Sequence, residues 1–248
     1  MADTMKRTKK SKPAGAVRPP QKAGGRRKGR RTTEETGLRR KVIETALEMS
    51  RSGLSPGRSG NVSCRFGDGM LITPSGMAYE SLKAGDIVFV SGDGAVTAGQ
   101  RKPSSEWRFH LSAYAARADA EAVVHTHSLH ATVLACANRA IPAFHYMVAI
   151  AGGTDIPCVP YATFGTEELA GFVAEGLADR DACLMANHGQ IAIGGDLDGA
   201  LELAREVEVL SEQYVKLLAT GDKVIVLGAD DMAEVLERFK GYGQRAQG

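Results

Sequence analysis

The amino-acid sequence predicts an α/β protein of the α+β type, a single domain in which a mainly antiparallel sheet is flanked by helices. Three observations carry this prediction. Short β-branched runs are punctuated by Gly, Pro and Asp. Amphipathic stretches of helical period open at Ser or Thr. The two kinds of segment mix without the strict strand–helix rhythm of a parallel sheet.

The elements follow in chain order. In "TTEETGLRRKVIETALEMSRSGL", Thr32 with Glu35 fits a capping box. Leu38, Val42, Ile43, Ala46, Leu47 and Met49 then keep a helical period, and Gly53 ends it. "NVSCRF", "GMLITP" and "DIVFVS" read as strands. "SSEWRFHLSAYAARAD" reads as a helix capped by Ser104 or Ser105, "AVVHTH" as a strand, and "SLHATVLACANR" as a helix capped by Ser128. "IPAFHYMVAIAGG" fits neither pattern cleanly, and Pro157 and Pro160 make "IPCVPYA" extended. Thr166 caps a helix in "TEELAGFVAEGLADR". "ACLMANHG" and "QIAIGG" are strands about a turn at Gly189. A long amphipathic helix follows in "LDGALELAREVEVLSEQYVKLLAT", and "DDMAEVLERFKGYG" closes the chain.

Composition narrows the class. A chain of 248 residues, 43% hydrophobic and 24% charged, is an ordinary soluble globule long enough for one large domain. No apolar run is long enough to span a bilayer, and the basic N-terminus has no apolar core of a secretory signal. Cys64, Cys136, Cys158 and Cys183 form no CxxC pair, which points to reduced thiols in a cytoplasmic protein. The net charge of +2 conceals an asymmetry: residues 1–31 carry 12 Lys and Arg against Asp3 alone, +11, so the remainder is 2 − 11 = −9. Pro and Gly interleave those charges, so residues 1–31 read as a disordered tail and 32–248 as the domain. The tail reads as a solubilising extension in preference to a nucleic-acid or membrane anchor.

Six histidines occur, and His125, His127 and His130 cluster in "EAVVHTHSLHATVL". Residues i and i+2 of a strand share a face, so His125 and His127 can reach one ion. A third ligand must come from elsewhere, and His188, ending another strand, is the candidate. His130 falls in the next helix and reads as structural; His110 and His145 have no partner at ligand spacing. Ser104 and Ser105 at a helix start offer donors to a phosphate. Glu106 follows them directly, and beside a metal it is a ligand or a general base. "SGNVSCR" and "LITPSGM" are two more turns rich in donors.

Together, G-N-x-S, I-T-P-[ST]-G, P-S-S-E with a following His, V-V-H-x-H and a final H-G resemble the zinc-dependent class II aldolase/adducin family, from about Arg39 to Gly243. The resemblance implies a nine-stranded, mainly antiparallel sheet in a C4 homotetramer with active sites at subunit interfaces. It implies one Zn2+ per subunit on His125, His127 and His188, with Glu106 approaching the metal when substrate is absent. It places Asn61, Thr73, Ser75, Gly76, Ser104 and Ser105 on the substrate's phosphate, and Ser75 stands where Thr is frequent. It makes Glu106 the acid/base, Tyr146 a proton donor offered by a neighbouring subunit, and Tyr242 an orienter of the aldehyde half.

The implied reaction is cleavage of a ketose 1-phosphate between C3 and C4 to dihydroxyacetone phosphate and an aldehyde, with no Schiff-base lysine. Three rivals are weighed. A pentulose-phosphate 4-epimerase shares the fold and histidines, but that branch typically has Asp where Glu106 stands and Lys where Thr73 stands. An aldolase for a 5-deoxypentulose 1-phosphate would keep the same metal and phosphate halves. A non-catalytic adducin-like module has no use for three histidines and Glu106.

Overall fold

The computed structural model describes residues 25–240, with side chains from Thr32 onward. Most of the segment read as a disordered tail lies outside the described residues, as does Tyr242.

The first helix, α1, spans Gly25–Arg51. It begins upstream of Thr32, so Thr32 is not a cap; its carbonyl accepts from Thr36 Oγ1 at 2.7 Å inside the helix. Arg and Lys are good helix formers, which lets the basic residues before Thr32 continue it. After α1 come β1 (Asn61–Phe66), β2 (Gly69–Ile72) and β3 (Val88–Ser91), then α2 (Trp107–Ala116), β4 (Ala122–Thr126) and α3 (Leu129–Cys136). The middle holds β5 (Ile141–Pro142), a 3-10 helix (Tyr146–Ala151), β6 (Asp155–Ile156) and β7 (Cys158–Val159). The chain ends through α4 (Glu167–Gly176), β8 (Ala182–Met185), β9 (Gly189–Gly194), α5 (Leu197–Ala219) and α6 (Ala229–Phe239).

The expected nine-stranded sheet is not one sheet. Seven strands run in the order β3-β2-β1-β4-β9-β8-β7, while β5 and β6 pair only with each other. The β7–β8 pair is parallel, so the sheet is mixed. Proline explains the shortfall: Pro142, Pro157 and Pro160 lack the N–H that a longer ladder needs, and they confine β5, β6 and β7 to two residues each.

Helices cover both faces. Alternate residues of the strands enter opposite cores. Val62, Ala122, Val124, Leu184 and Ala192 pack with Val42, Ala46, Leu134 and Val207 of α1, α3 and α5. Val88, Val123, Cys183, Ile191 and Ile193 pack with Phe109, Ala113, Leu169 and Val173 of α2 and α4. Both faces of β4 are therefore dry, and every one of its residues is buried. That is why its sequence is an unbroken apolar run up to His125.

Caps come from unexpected places. Glu106, rather than Ser104 or Ser105, is the N-cap residue of α2 and makes no side-chain cap bond. Ser128 precedes α3, but Glu208 of α5 caps that helix, accepting from His130 N at 2.9 Å and Ala131 N at 3.0 Å. Glu208 also takes His130 Nδ1 at 2.8 Å, so His130 is structural as expected. Thr166 caps α4 as read, accepting from Leu169 N.

Leu184 of β8 is fully buried between the sheet and its covering helices. Leu184→Ala is expected to cost about 2–5 kcal/mol. Urea unfolding is expected to show a lower midpoint at an unchanged slope, and an unmoved midpoint would contradict this account of the core.

Candidate metal centre

Three neighbouring strands end at the same place. Asn61, the first residue of β1, pairs with His125 near the end of β4. Across β4, Thr126 pairs with Gln190 near the start of β9. His188 lies in the turn joining β8 to β9, where Asn187 takes a positive φ of 57°. Gly189 follows, and a Cβ there would lie 2.4 Å from the Thr126 carbonyl oxygen. Only glycine lets β9 approach β4 this closely, and that approach brings His188 over the strand-end pair.

Glu106, His125, His127 and His188 each offer one ligand atom, all within 4.8 Å of one another. His125 Nε2 is 3.0 Å from His127 Nε2 and 3.3 Å from Glu106 Oε2. His188 Nε2 is 2.9 Å from Glu106 Oε1. His125 Nδ1 lies 2.8 Å from the Gln190 carbonyl, which can only accept. The proton therefore sits on Nδ1, and the Nε2 lone pair faces inward. Gln190 is itself held, donating to Ser128 Oγ at 2.8 Å and to the Ala204 carbonyl at 3.0 Å.

Electrostatics fit a cation. Burial lowers the pKa of His125 far below its ordinary value and lowers that of His127 too, keeping both rings neutral with lone pairs free. Burial pushes the Glu106 carboxyl up, but the hydrogen bonds from His188 and Asn61 counter it, and the carboxyl lies below its ordinary value. The site thus sets three imidazole rings, His125 and His127 neutral, around one carboxylate. That nitrogen-rich set suits a first-row transition ion, since Mg2+ and Ca2+ take oxygen.

The cluster forms one wall of a cavity of about 440 Å³. Asn61, Ser75, Gly76, Ser104 and Ser105 line it together with Glu106, His127 and His188. The turns carrying them are bolted together. Ser75 N donates to the Lys102 carbonyl and Ser104 N to the Thr73 carbonyl, both at 3.0 Å. Gly76 holds a positive φ of 70°. Thr73 is buried and does not line the cavity; its Oγ1 accepts from Val62 N at 3.2 Å. Thr73 supports this turn from behind. Tyr146 stands 49% exposed on the 3-10 helix and does not line its own chain's cavity.

The sequence reading passed over Arg58, Tyr161 and Phe164, which also line the cavity. Arg58 is its one Lys or Arg among the described residues, and Nη1 donates to the Gly76 carbonyl at 3.3 Å. Its place in "PGRSGN", three residues before Asn61, was the available signal. Tyr161 and Phe164, 60% and 63% exposed, form an apolar rim in "YATFGT". His110 is also recruited: its Nε2 lies 2.5 Å from Asn61 Oδ1, and Asn61 Nδ2 donates to Glu106 Oε2 at 2.8 Å.

Residues 40–215 match the family described as Class II Aldolase and Adducin N-terminal domain. An L-fuculose phosphate aldolase of Escherichia coli K12 is 53% identical over 214 residues, 86% of this chain and 99% of that protein. A 5-methylthioribulose-1-phosphate/5-deoxyribulose-1-phosphate aldolase of Rhodospirillum rubrum is 52% identical over 210 residues, 85% of this chain and 94% of that protein. Among solved structures, an L-fuculose 1-phosphate aldolase superposes with a TM-score of 0.78 at 38% identity, over 82% of this chain and 96% of its own.

His127→Ala removes one donor and leaves the fold's cores untouched. Metal analysis after dialysis is expected to fall from about one ion per chain to near none. A dialysed variant that keeps stoichiometric metal would exclude His127 as a ligand.

Proposed function

The chain belongs to the class II aldolase and adducin family, and from that premise we propose that it is a zinc-dependent aldehyde-lyase that reversibly cleaves L-fuculose 1-phosphate to dihydroxyacetone phosphate and L-lactaldehyde. The observation that carries the reading is the meeting of Glu106, His125, His127 and His188 in a cavity rimmed by Ser75, Ser104 and Ser105. His125, His127 and His188 hold the ion, one per subunit, with Glu106 as a fourth donor before substrate enters. Three imidazoles with an exchangeable fourth position is the donor set of catalytic zinc.

Cleavage breaks the C3–C4 bond, sends one proton off the C4 hydroxyl and delivers one to C3. Bound zinc supplies Lewis-acid stabilisation of negative charge on the neighbouring oxygens. The chain's own residues do the rest. Ser75, Ser104, Ser105, the Gly76 backbone and the Asn61 amide hold the phosphate, and Arg58 adds a charge-assisted contact. Anchoring the phosphate fixes C3 beside Glu106. In the condensation direction the ionised Glu106 takes the proton from that carbon, and in cleavage it returns it. Tyr146 handles the proton on the C4 oxygen, and Tyr242 orients the aldehyde half. The exposure of Tyr146 away from its own cavity supports a homotetramer in which its hydroxyl enters a neighbour's site.

The Rhodospirillum rubrum relative supports a second substrate reading, 5-methylthioribulose or 5-deoxyribulose 1-phosphate, at almost the same identity. Both readings share the phosphate and metal halves. The location is proposed as cytoplasmic: the four cysteines are free, and no helix of the described residues is long and apolar enough to cross a membrane. The catalytic domain is proposed to begin within α1, whose residues 25–31 fall in the segment read as a tail, and residues 1–24 lie outside the described structure.

Release of dihydroxyacetone phosphate from L-fuculose 1-phosphate and from 5-methylthioribulose 1-phosphate tests this directly. EDTA is expected to abolish it, and the larger kcat/KM identifies the substrate; release from neither returns the epimerase and scaffold readings. Glu106→Gln is expected to retain zinc while turnover falls by about 10²–10⁴-fold. Near-normal turnover in that variant would remove Glu106 from proton transfer.

A further inference from the structure

On the turns of α2, Glu106, His110 and Tyr114 recur every fourth residue, and on β1 Asn61 and Ser63 recur every second. Four helical residues rise about 6.0 Å. Two strand residues rise about 6.7 Å. The two rows are nearly commensurate, so they interleave as Glu106–Asn61–His110–Ser63–Tyr114. Each neighbour in that series is hydrogen-bonded: Glu106 Oε2 to Asn61 Nδ2 at 2.8 Å, Asn61 Oδ1 to His110 Nε2 at 2.5 Å, His110 Nδ1 to Ser63 Oγ at 2.7 Å, and Ser63 Oγ to Tyr114 OH at 2.8 Å. All five residues are buried, His110 and Ser63 completely.

The directions of these bonds are forced. A carboxylate only accepts, so Asn61 turns its NH2 toward Glu106 and its carbonyl oxygen toward His110. His110 must then donate from Nε2, and its bare Nδ1 must accept from Ser63. Ser63 in turn accepts from the Tyr114 hydroxyl. The opposite tautomer would set two lone pairs against each other at 2.5 Å. Relieving that clash by flipping the Asn61 amide would turn its oxygen onto the carboxylate.

We propose that His110, held as the neutral Nε2–H tautomer by Ser63 and Tyr114, is a positioning residue that orients Asn61 and through it fixes the Glu106 carboxylate for proton transfer. The inference rests on the reading of Glu106 as the proton-transfer group. Burial supports it, since it drives the His110 pKa down to about 3 and keeps the ring neutral. Phe109 stacks on His110 at 5.0 Å and meets the rings of His125 and His188 edge-on at 5.2 and 6.5 Å, so packing fixes the ring as well. The series orients and does not conduct. The Asn61 amide neither takes up nor releases a proton, so no proton passes along it from Tyr114 to Glu106.

The tautomer is measurable without turnover. In the metal-free full chain, ¹⁵N-histidine NMR near neutral pH is expected to show, among its rings, one with a proton on Nε2 and none on Nδ1 whose signal is missing from His110→Gln. An Nδ1–H ring or an imidazolium at that position would overturn the proposal. In kinetics, His110→Phe is expected to bind zinc stoichiometrically while kcat falls about 10–100-fold. KM is expected to stay within about threefold, as for a group acting only through the transition state. His110→Gln, whose amide places an N–H where Nε2 stood, is expected to recover most of kcat. His110→Asn, whose amide falls short of Asn61, is expected to behave like His110→Phe and replaces it if that variant loses cooperative melting. Wild-type kcat in folded His110→Phe or His110→Asn, or no recovery in folded His110→Gln, would refute the positioning role. If Glu106→Gln turns over normally, the Glu106 reading fails, and the tautomer still reports on His110.

Discussion

The sheet is dry on both sides, and this decides where chemistry can sit. Helices α1, α3 and α5 cover one face and α2 and α4 the other, so side chains along β4 and β8 must be apolar. A polar group inside such a sandwich needs a partner for every donor and acceptor. The strand ends are where the backbone ladder stops and side chains can take over as partners. In this order of strands, antiparallel pairing brings the start of β1, the end of β4 and the start of β9 to one point. The site is a consequence of that register.

Glu106 is the focus of that point. A carboxylate this buried is unstable unless compensated, and the compensation here is unusually complete. His188, His125 and Asn61 all face it, and Ser104 Oγ accepts from its backbone N–H at 3.3 Å. The same arrangement sets one carboxylate among three imidazole nitrogens, a donor set that suits a cation. Holding the carboxylate in place and attracting a metal are therefore two results of one set of contacts.

Much of this was legible in the residues. Strand and helix identities followed from period and punctuation, and His-x-His at a strand end with His188 beyond pointed to three convergent rings. What escaped had physical reasons. Sheet membership is a matter of ladder hydrogen bonds, and prolines at 142, 157 and 160 removed enough of them to exclude β5 and β6. The α1 start was misplaced because Thr32 looks like a cap while the basic residues before it are also good helix formers. Thr73 was read as a phosphate contact, and its buried hydroxyl accepts from Val62 N, a bond that spacing along the chain does not reveal. His110 looked unpartnered because ligand spacing was sought along the chain, whereas its partners alternate on a strand 47 and 49 residues away. Arg58 carried only the weak signal of its place beside Asn61, and the fold shows that its turn borders the cavity.

The two halves of the cavity are built under different constraints. Asn61, Ser104, Glu106 and His125 are buried and tied by several bonds each, so substitution there leaves a buried polar group unpaired, a loss of about 1–3 kcal/mol. Tyr161 and Phe164 are exposed and neither is tied by a side-chain hydrogen bond in the described structure. Exposed positions of that kind change at a cost of only about 0.5 kcal/mol. The exposed rim can thus be reshaped while the buried end stays fixed. This accounts for two relatives named for different ketose 1-phosphates standing at 53% and 52% identity to the same chain.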